Sequence, residues 1–136
     1  MQRIGLLIFL LLLVTANWGY AEPYTDNGDG TVTDEGSGLV WQQDVAAVQP
    51  NWQGALDYCN ALTLAGFNDW RLPDIKQLRS LVDDISGMDS NFSLAANPCW
   101  SSTSASSRTY AWRMSNEGFT HYSLKTSSGW NVRCVR

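Results

Sequence analysis

The chain has 136 residues, with 9 Lys+Arg against 13 Asp+Glu and a formal net charge of −4. An acidic balance without a basic block argues against nucleic acid as a partner. One histidine and three cysteines, without convergent spacing, supply no zinc ligand set, and a chain of this length carries one small domain.

Taken from the start, Met1-Gln2-Arg3 puts one positive charge ahead of Ile4 to Val14, a run that is apolar apart from Gly5. Gly19-Tyr20-Ala21 then sets small residues at the −3 and −1 positions of a cleavage site. This pattern predicts a secretory signal peptide over residues 1–21, cleaved after Ala21. The run is short for a membrane span, and no cysteine follows it to take a lipid anchor. An uncleaved anchor is the minor alternative. The remaining 115 residues, 22–136, are expected to form a single domain in the periplasm or outside the cell, with no later membrane span.

Charge in that domain is uneven. Glu22 to Ser107 holds 12 acids and 3 bases, whereas Arg108 to Arg136 holds 5 bases and one acid, Glu117. The contrast suggests a basic face on an acidic body, or a solvated surface with no partner.

Tyr24 to Gly30 is dense in turn formers. Placed on a calcium loop with Gly30 at the sixth position, it has Gly36 where the closing carboxylate should stand, so an Asx-rich turn is the expectation. Thr31 to Asp34 and Leu39 to Gln42 read as two strands joined by a turn at 35–38. Asn51 is a plausible N-cap for a helix near Trp52 to Leu62, with Trp52, Ala55, Leu56, Cys59 and Leu62 on its buried stripe. Gly54 weakens its first turn.

Trp70-Arg71-Leu72 reads as a short strand closed by Pro73, which has no N–H to give a sheet. Asp74 caps a second helix that runs to about Asp83, and Gln77 completes a capping box. Ile75, Leu78, Leu81 and Val82 form its apolar face. Arg71 and Asp74 are read as structural, an arginine held by backbone carbonyls and a cap. Residues 84–98 are irregular. Strands then follow near Trp100–Thr103, Thr109–Met114, Phe119–Lys125 and Trp130–Val135, an antiparallel meander with turns at 116–118 and 127–129.

Cys59, Cys99 and Cys134 allow one bridge and one leftover thiol in an oxidising compartment. Cys59 with Cys134 would clamp both ends of the domain, and Cys99 with Cys134 is the competing pair. The leftover cysteine would be free or would join a second chain. Catalytic readings are poor. His121 stands in an alternating strand with Cys99 as the single candidate nucleophile, and no phosphate-binding glycine loop follows a strand. No catalysis, cofactor or metal is expected.

Asp26-Asn27-Gly28-Asp29-Gly30-Thr31-Val32-Thr33-Asp34, Gly38-Leu39-Val40-Trp41-Gln42, Ala55-Leu56-Asp57-Tyr58-Cys59, Asp69-Trp70-Arg71-Leu72-Pro73, Trp100-Ser101-Ser102-Thr103 and Val132-Arg133-Cys134-Val135-Arg136 occur in this order. Together they resemble the family named for the C-terminal domain of the Legionella collagen-like adhesin, over essentially all of 22–136. The Arg-Leu-Pro segment and terminal Arg-Cys are also similar to formylglycine-generating-enzyme domains, but the copper-binding cysteine pair of those enzymes is not recognisable. The resemblance implies an α+β, C-type-lectin-like fold with two helices on antiparallel sheets and the terminal strands close together. In such folds a helix-one cysteine commonly bridges to the last strand, which favours Cys59–Cys134.

The founding adhesin domain is associated with sulfated polysaccharides, but the Gly-X-Y stalk is missing here and the calcium–sugar site of true C-type lectins is not evident. Gln49-Pro50-Asn51 mimics its tripeptide ahead of helix one, the wrong place. The expected function is an exported binding module for a polysaccharide or surface protein. Candidate contacts are Arg108, Tyr110, Arg113, His121, Tyr122, Lys125 and Arg133, of which strand alternation lets only some share a face. The alternative is a structural or assembly role in the envelope, with Cys99 joining a partner.

Overall fold

Side-chain oxygens of the Asp26–Gly30 turn are spent on the chain itself. Asp26 Oδ1 accepts from the Gly28 N–H at 2.8 Å, and Asp29 Oδ1 accepts from Thr31 N–H and Oγ1 at 3.0 and 2.6 Å. The computed structural model describes residues 22–136, and the expected signal peptide lies outside the described residues. This Asx turn closes a hairpin in which β1 (Tyr24–Asp26) pairs antiparallel with β2 (Thr31–Asp34). The strand at Tyr24–Asp26 is not legible in the turn-rich sequence. It forms because Tyr24 sets its ring edge-on to Phe92, 5.2 Å away, and donates its hydroxyl to Ser80 O. β2 in turn pairs with β3 (Val40–Gln42), as its pattern predicts.

Asn51 caps α1 (Trp52–Ala61) by accepting from the Gly54 N–H at 2.9 Å. A Cβ on Gly54 would stand 2.7 Å from Pro50 Cβ, so glycine here admits the proline that enters the helix. α2 (Ile75–Ser80) carries the full capping box: Asp74 accepts from the Gln77 N–H at 2.8 Å, and Gln77 accepts from the Asp74 N–H at 3.0 Å. The helix is shorter than its apolar pattern predicts. Val82–Asp83 leaves it to form β4, paired with β5 (Gly87–Met88), because Asp83 turns its carboxylate onto the N–H groups of Ile85 and Ser86.

The C-terminal third is a three-stranded antiparallel sheet of order β6 (Cys99–Ser104), β7 (Tyr110–Met114), β8 (Thr120–Leu124). Two expected strands, Trp70–Leu72 and Trp130–Val135, dissolve into isolated bridges. Arg71 exchanges backbone hydrogen bonds with Val135 at 2.8 and 2.9 Å, and Val135 also bridges Trp41. The last segment therefore lies between β3 and the Trp70–Leu72 stretch instead of extending the meander. The N- and C-terminal segments are adjacent, through Val40 N–H to Arg136 O and Gln42 N–H to Cys134 O. With two helices and three antiparallel sheets the domain is α+β.

Strand alternation along β6 and β7 divides the core in two. Cys99 and Met114 face Leu78, Leu81, Phe92, Trp41 and Val135, while Trp100 and Ala111 face Ala55, Cys59, Trp70, Leu72 and Cys134. Each leucine or valine so buried contributes ~2 kcal/mol of transfer free energy. Cys59 and Cys134 are bonded across the second cluster, and Cys99 is the free cysteine.

Candidate functional site

The β6–β7–β8 sheet carries most of the candidate contacts, and its register sorts them. Tyr110 stands opposite Leu124, Trp112 opposite Tyr122, and Arg113 opposite His121. With side chains alternating, Tyr110, Trp112, Tyr122 and Leu124 share the face that α2 covers in part, and Arg113, His121 and Lys125 share the face toward α1. Arg108 is exposed in the turn between β6 and β7. The seven predicted residues are thus not one surface.

Arg133 belongs to neither face. It is 1% exposed, and its guanidinium donates to the carbonyl oxygens of Gln42 at 2.7 Å, Gln43 and Ser93. Its cation also lies 5.1 Å from the Phe92 ring centroid. A residue enclosed in this way cannot contact a ligand, so Arg133 is corrected from binding residue to structural residue. Sequence reasoning had expected backbone carbonyls around Arg71 instead. The Arg71 side chain is exposed and donates to Gln77 Oε1 at 2.9 Å.

On the α1-side face the cations are held by rings and hydroxyls. The Arg113 guanidinium lies 4.0 Å from the Trp130 ring centroid and its Nε donates to Ser123 Oγ at 2.7 Å. Partial burial lowers its pKa. Lys125 Nζ lies 3.9 Å from the Trp52 centroid and donates to Ser104 Oγ at 2.7 Å. Trp52 is itself fixed, since its indole N–H donates to Ser101 O at 2.8 Å. Trp130 meets Trp100 edge-on at 6.4 Å. Ion pairs among the described residues are Arg79–Asp84 and Arg136–Asp69, and neither includes Arg108, Arg113 or Lys125. Arg113 and Lys125 therefore stand over aromatic faces with no carboxylate neutralising them.

Sequence reasoning missed the supporting tryptophans Trp52 and Trp130, and missed Trp112 on the opposite face. A signal for Trp112 existed. The Asn116-Glu117-Gly118 turn centres the hairpin on Glu117, which places residues 112 and 122 opposite one another and puts Trp112 beside two tyrosines.

Cys99 bears on the assembly alternative. It is 5% exposed, and burial pushes its thiol up to about 11, with the nearby Arg133 acting in the opposite direction. A thiol so enclosed cannot reach a second chain, so an intermolecular bridge through Cys99 is incompatible with the folded domain. Native protein treated with a maleimide near neutral pH is expected to remain unlabelled, and urea is expected to expose one thiol per chain. Rapid labelling of native protein would contradict the burial.

Among the described residues no three His, Cys, Asp or Glu side chains gather into a metal-binding group, and no helix is long and apolar enough to cross a membrane. A family model for the Lcl C-terminal domain matches residues 30–136. The chain belongs to the Lcl C-terminal domain family. It is thereby an adhesin-related module, and the match spans both helices, the β6–β7–β8 sheet and the disulfide. That disulfide is consistent with an extracellular or periplasmic protein. Comparison with curated proteins finds no match.

Proposed function

We propose that this Lcl C-terminal domain is a non-catalytic binding module for an anionic polysaccharide, held on the row formed by Arg108, Arg113, His121 and Lys125. The observation that carries this reading is the way Arg113 and Lys125 are positioned. Tryptophan rings and serine hydroxyls fix both cations without cancelling their charge. Arg136, by contrast, is matched with the carboxylate of Asp69 at 2.6 Å. A row of uncancelled cations along one sheet face suits a linear chain of sulfates or uronates. The acidic body would disfavour polyanions elsewhere, which restricts contact to this row. The C-type-lectin-like arrangement implied by the resemblance, and export through a signal peptide, belong to the same reading.

Purified protein is expected to bind sulfated or uronic polysaccharides, with affinity falling as salt rises because exposed charges are screened. Lys125→Ala combined with Arg113→Ala is expected to weaken binding about tenfold, the sum of two exposed charge contacts. Equal binding by this double variant at every salt concentration would remove the row as the site. Binding lost in EDTA would assign it to calcium instead.

The alternative, an envelope assembly protein acting through protein contacts, keeps one observation in its favour. Ile85 is 98% exposed and Leu94 68% exposed, at a hollow bordered by Asp83, Asp84 and Glu117. Failure to bind any polysaccharide, charged or neutral, would favour that reading.

A further inference from the structure

The opposite face of the same sheet differs in chemistry. Three tryptophans in the domain spend their indole N–H on backbone carbonyls: Trp52 on Ser101, Trp70 on Phe67 and Trp100 on Pro50. Trp41 and Trp130 bury theirs without a partner. Trp112 fits neither group. Its ring is half-buried and lines a surface hollow, and among the described residues no acceptor takes its N–H.

Trp112 separates two hollows. One, of about 400 Å³, lies between it and α2 and is bounded by Ile75, Lys76, Arg79 and Thr120. The other, of about 320 Å³, lies between it and the 105–107 turn and is bounded by Tyr110, Tyr122 and two serines, Ser106 and Ser107. Tyr122 meets both Tyr110 and Trp112 at 5.5 Å and near right angles, 83° and 84°. The three rings therefore brace one another and present two walled corners in place of one flat patch. Tyr122 is 58% exposed, an unusual position for an aromatic that serves only the core.

We infer that this groove, formed by Trp112, Tyr110 and Tyr122 and bordered by α2, is a second binding site that takes uncharged sugar units of a carbohydrate chain.

Lining chemistry selects that class. A pyranose presents a C–H face that packs on an aromatic ring and a rim of hydroxyls that need hydrogen-bond partners. The groove supplies both. The hydroxyls of Tyr110, Tyr122, Ser106, Ser107 and Thr120 make no side-chain hydrogen bond among the described residues, and the Trp112 N–H is equally free. Charge selects against an anion. No acidic or basic residue borders the second hollow. In the first, the Arg79 guanidinium already donates to Val82 O and pairs with Asp84, which leaves Lys76 alone at one end. Two hollows sharing one ring suit neighbouring units of a polymer better than a monosaccharide. The site is independent of the basic row, because alternation sets the two on opposite faces of the sheet.

Retention of the purified protein on immobilised neutral polymers (cellulose, β-1,3-glucan, galactomannan and starch) tests the inference. Retention on at least one is expected, unchanged from about 0.05 to 0.5 M salt, across which the Debye length shrinks severalfold. Tyr122→Ala, at a position exposed enough to leave the fold intact, should weaken it at least about fivefold, the loss of one aromatic contact. Trp112→Ala should abolish it, while Lys125→Ala with Arg113→Ala should retain it. No retention on any neutral polymer, retention that salt removes, or retention indifferent to Tyr122→Ala would each overturn the assignment. Failure of the basic-row variants to affect sulfated chains would instead bear on the polyanion reading alone.

Discussion

Arg133→Ala should cost about 4 kcal/mol of stability, more than any other substitution of a charged residue in the domain. Its guanidinium is the joint between three separate segments: Gln42 and Gln43 at the end of β3, Ser93 in the long connection before β6, and the C-terminal segment that carries it. Alanine would leave three carbonyl oxygens short of a donor, each costing ~1–3 kcal/mol where water cannot reach, and would open a cavity beside Phe92. Burial lowers the pKa of this arginine, while Cys99 and Asp44 act to raise it, but a guanidinium remains charged throughout the usual range. Lysine keeps the charge but has one nitrogen for acceptors that a planar fork reaches together, so Arg133→Lys should cost roughly half as much. Equilibrium urea unfolding reads both values. An Arg133→Ala loss below about 1 kcal/mol would mean that solvent already serves these carbonyls.

The contrast between Arg133 and Arg71 shows what was legible in the sequence and what was not. Both arginines lie in extended, aromatic-rich stretches that look alike. Which one is enclosed depends on the last segment passing between β3 and Trp70–Leu72, a contact made across more than 60 residues. Local chemistry was readable because its partners are close in sequence. The Asp74–Gln77 capping box, the Asn51 cap and the Asx turn at Asp26–Gly30 each depend on atoms two to four residues apart. Three of the four expected meander strands were readable from alternation. Their faces were not, since the identity of the inward side depends on where α2 and the C-terminal segment dock. This is why the seven candidate contacts divide between two surfaces and a buried joint. The early end of α2 has the same origin. Val82 keeps the helical apolar spacing but is drawn into pairing with Met88.

Replacing the Cys59–Cys134 bridge by Cys59→Ala with Cys134→Ala should lower stability by about 4 kcal/mol and the melting temperature by about 15 °C. The two cysteines are 75 residues apart, so the bridge closes a loop that holds most of the domain, and loop-closure entropy in the unfolded chain grows with that length. Both substitutions are needed. A lone Cys59→Ala leaves Cys134 able to take Cys99 during refolding, which would report a rearranged chain in place of an open one. Native protein should also resist reduction, because both half-cystines are 0% exposed and a thiolate must wait for an unfolding event to attack. Reduction by dithiothreitol should therefore proceed at the rate of global unfolding and accelerate with urea. Fast reduction without urea would show α1 leaving the C-terminal segment in a local opening, and would make that pair the weakest part of the domain. The expected slow reduction would instead make the bridge a kinetic lock. For an adhesin-related module that suits the proposed use, since the cations and rings proposed to meet the ligand sit on a sheet that packs on both core clusters, and the bridge ties α1 to the C-terminal segment within one of them.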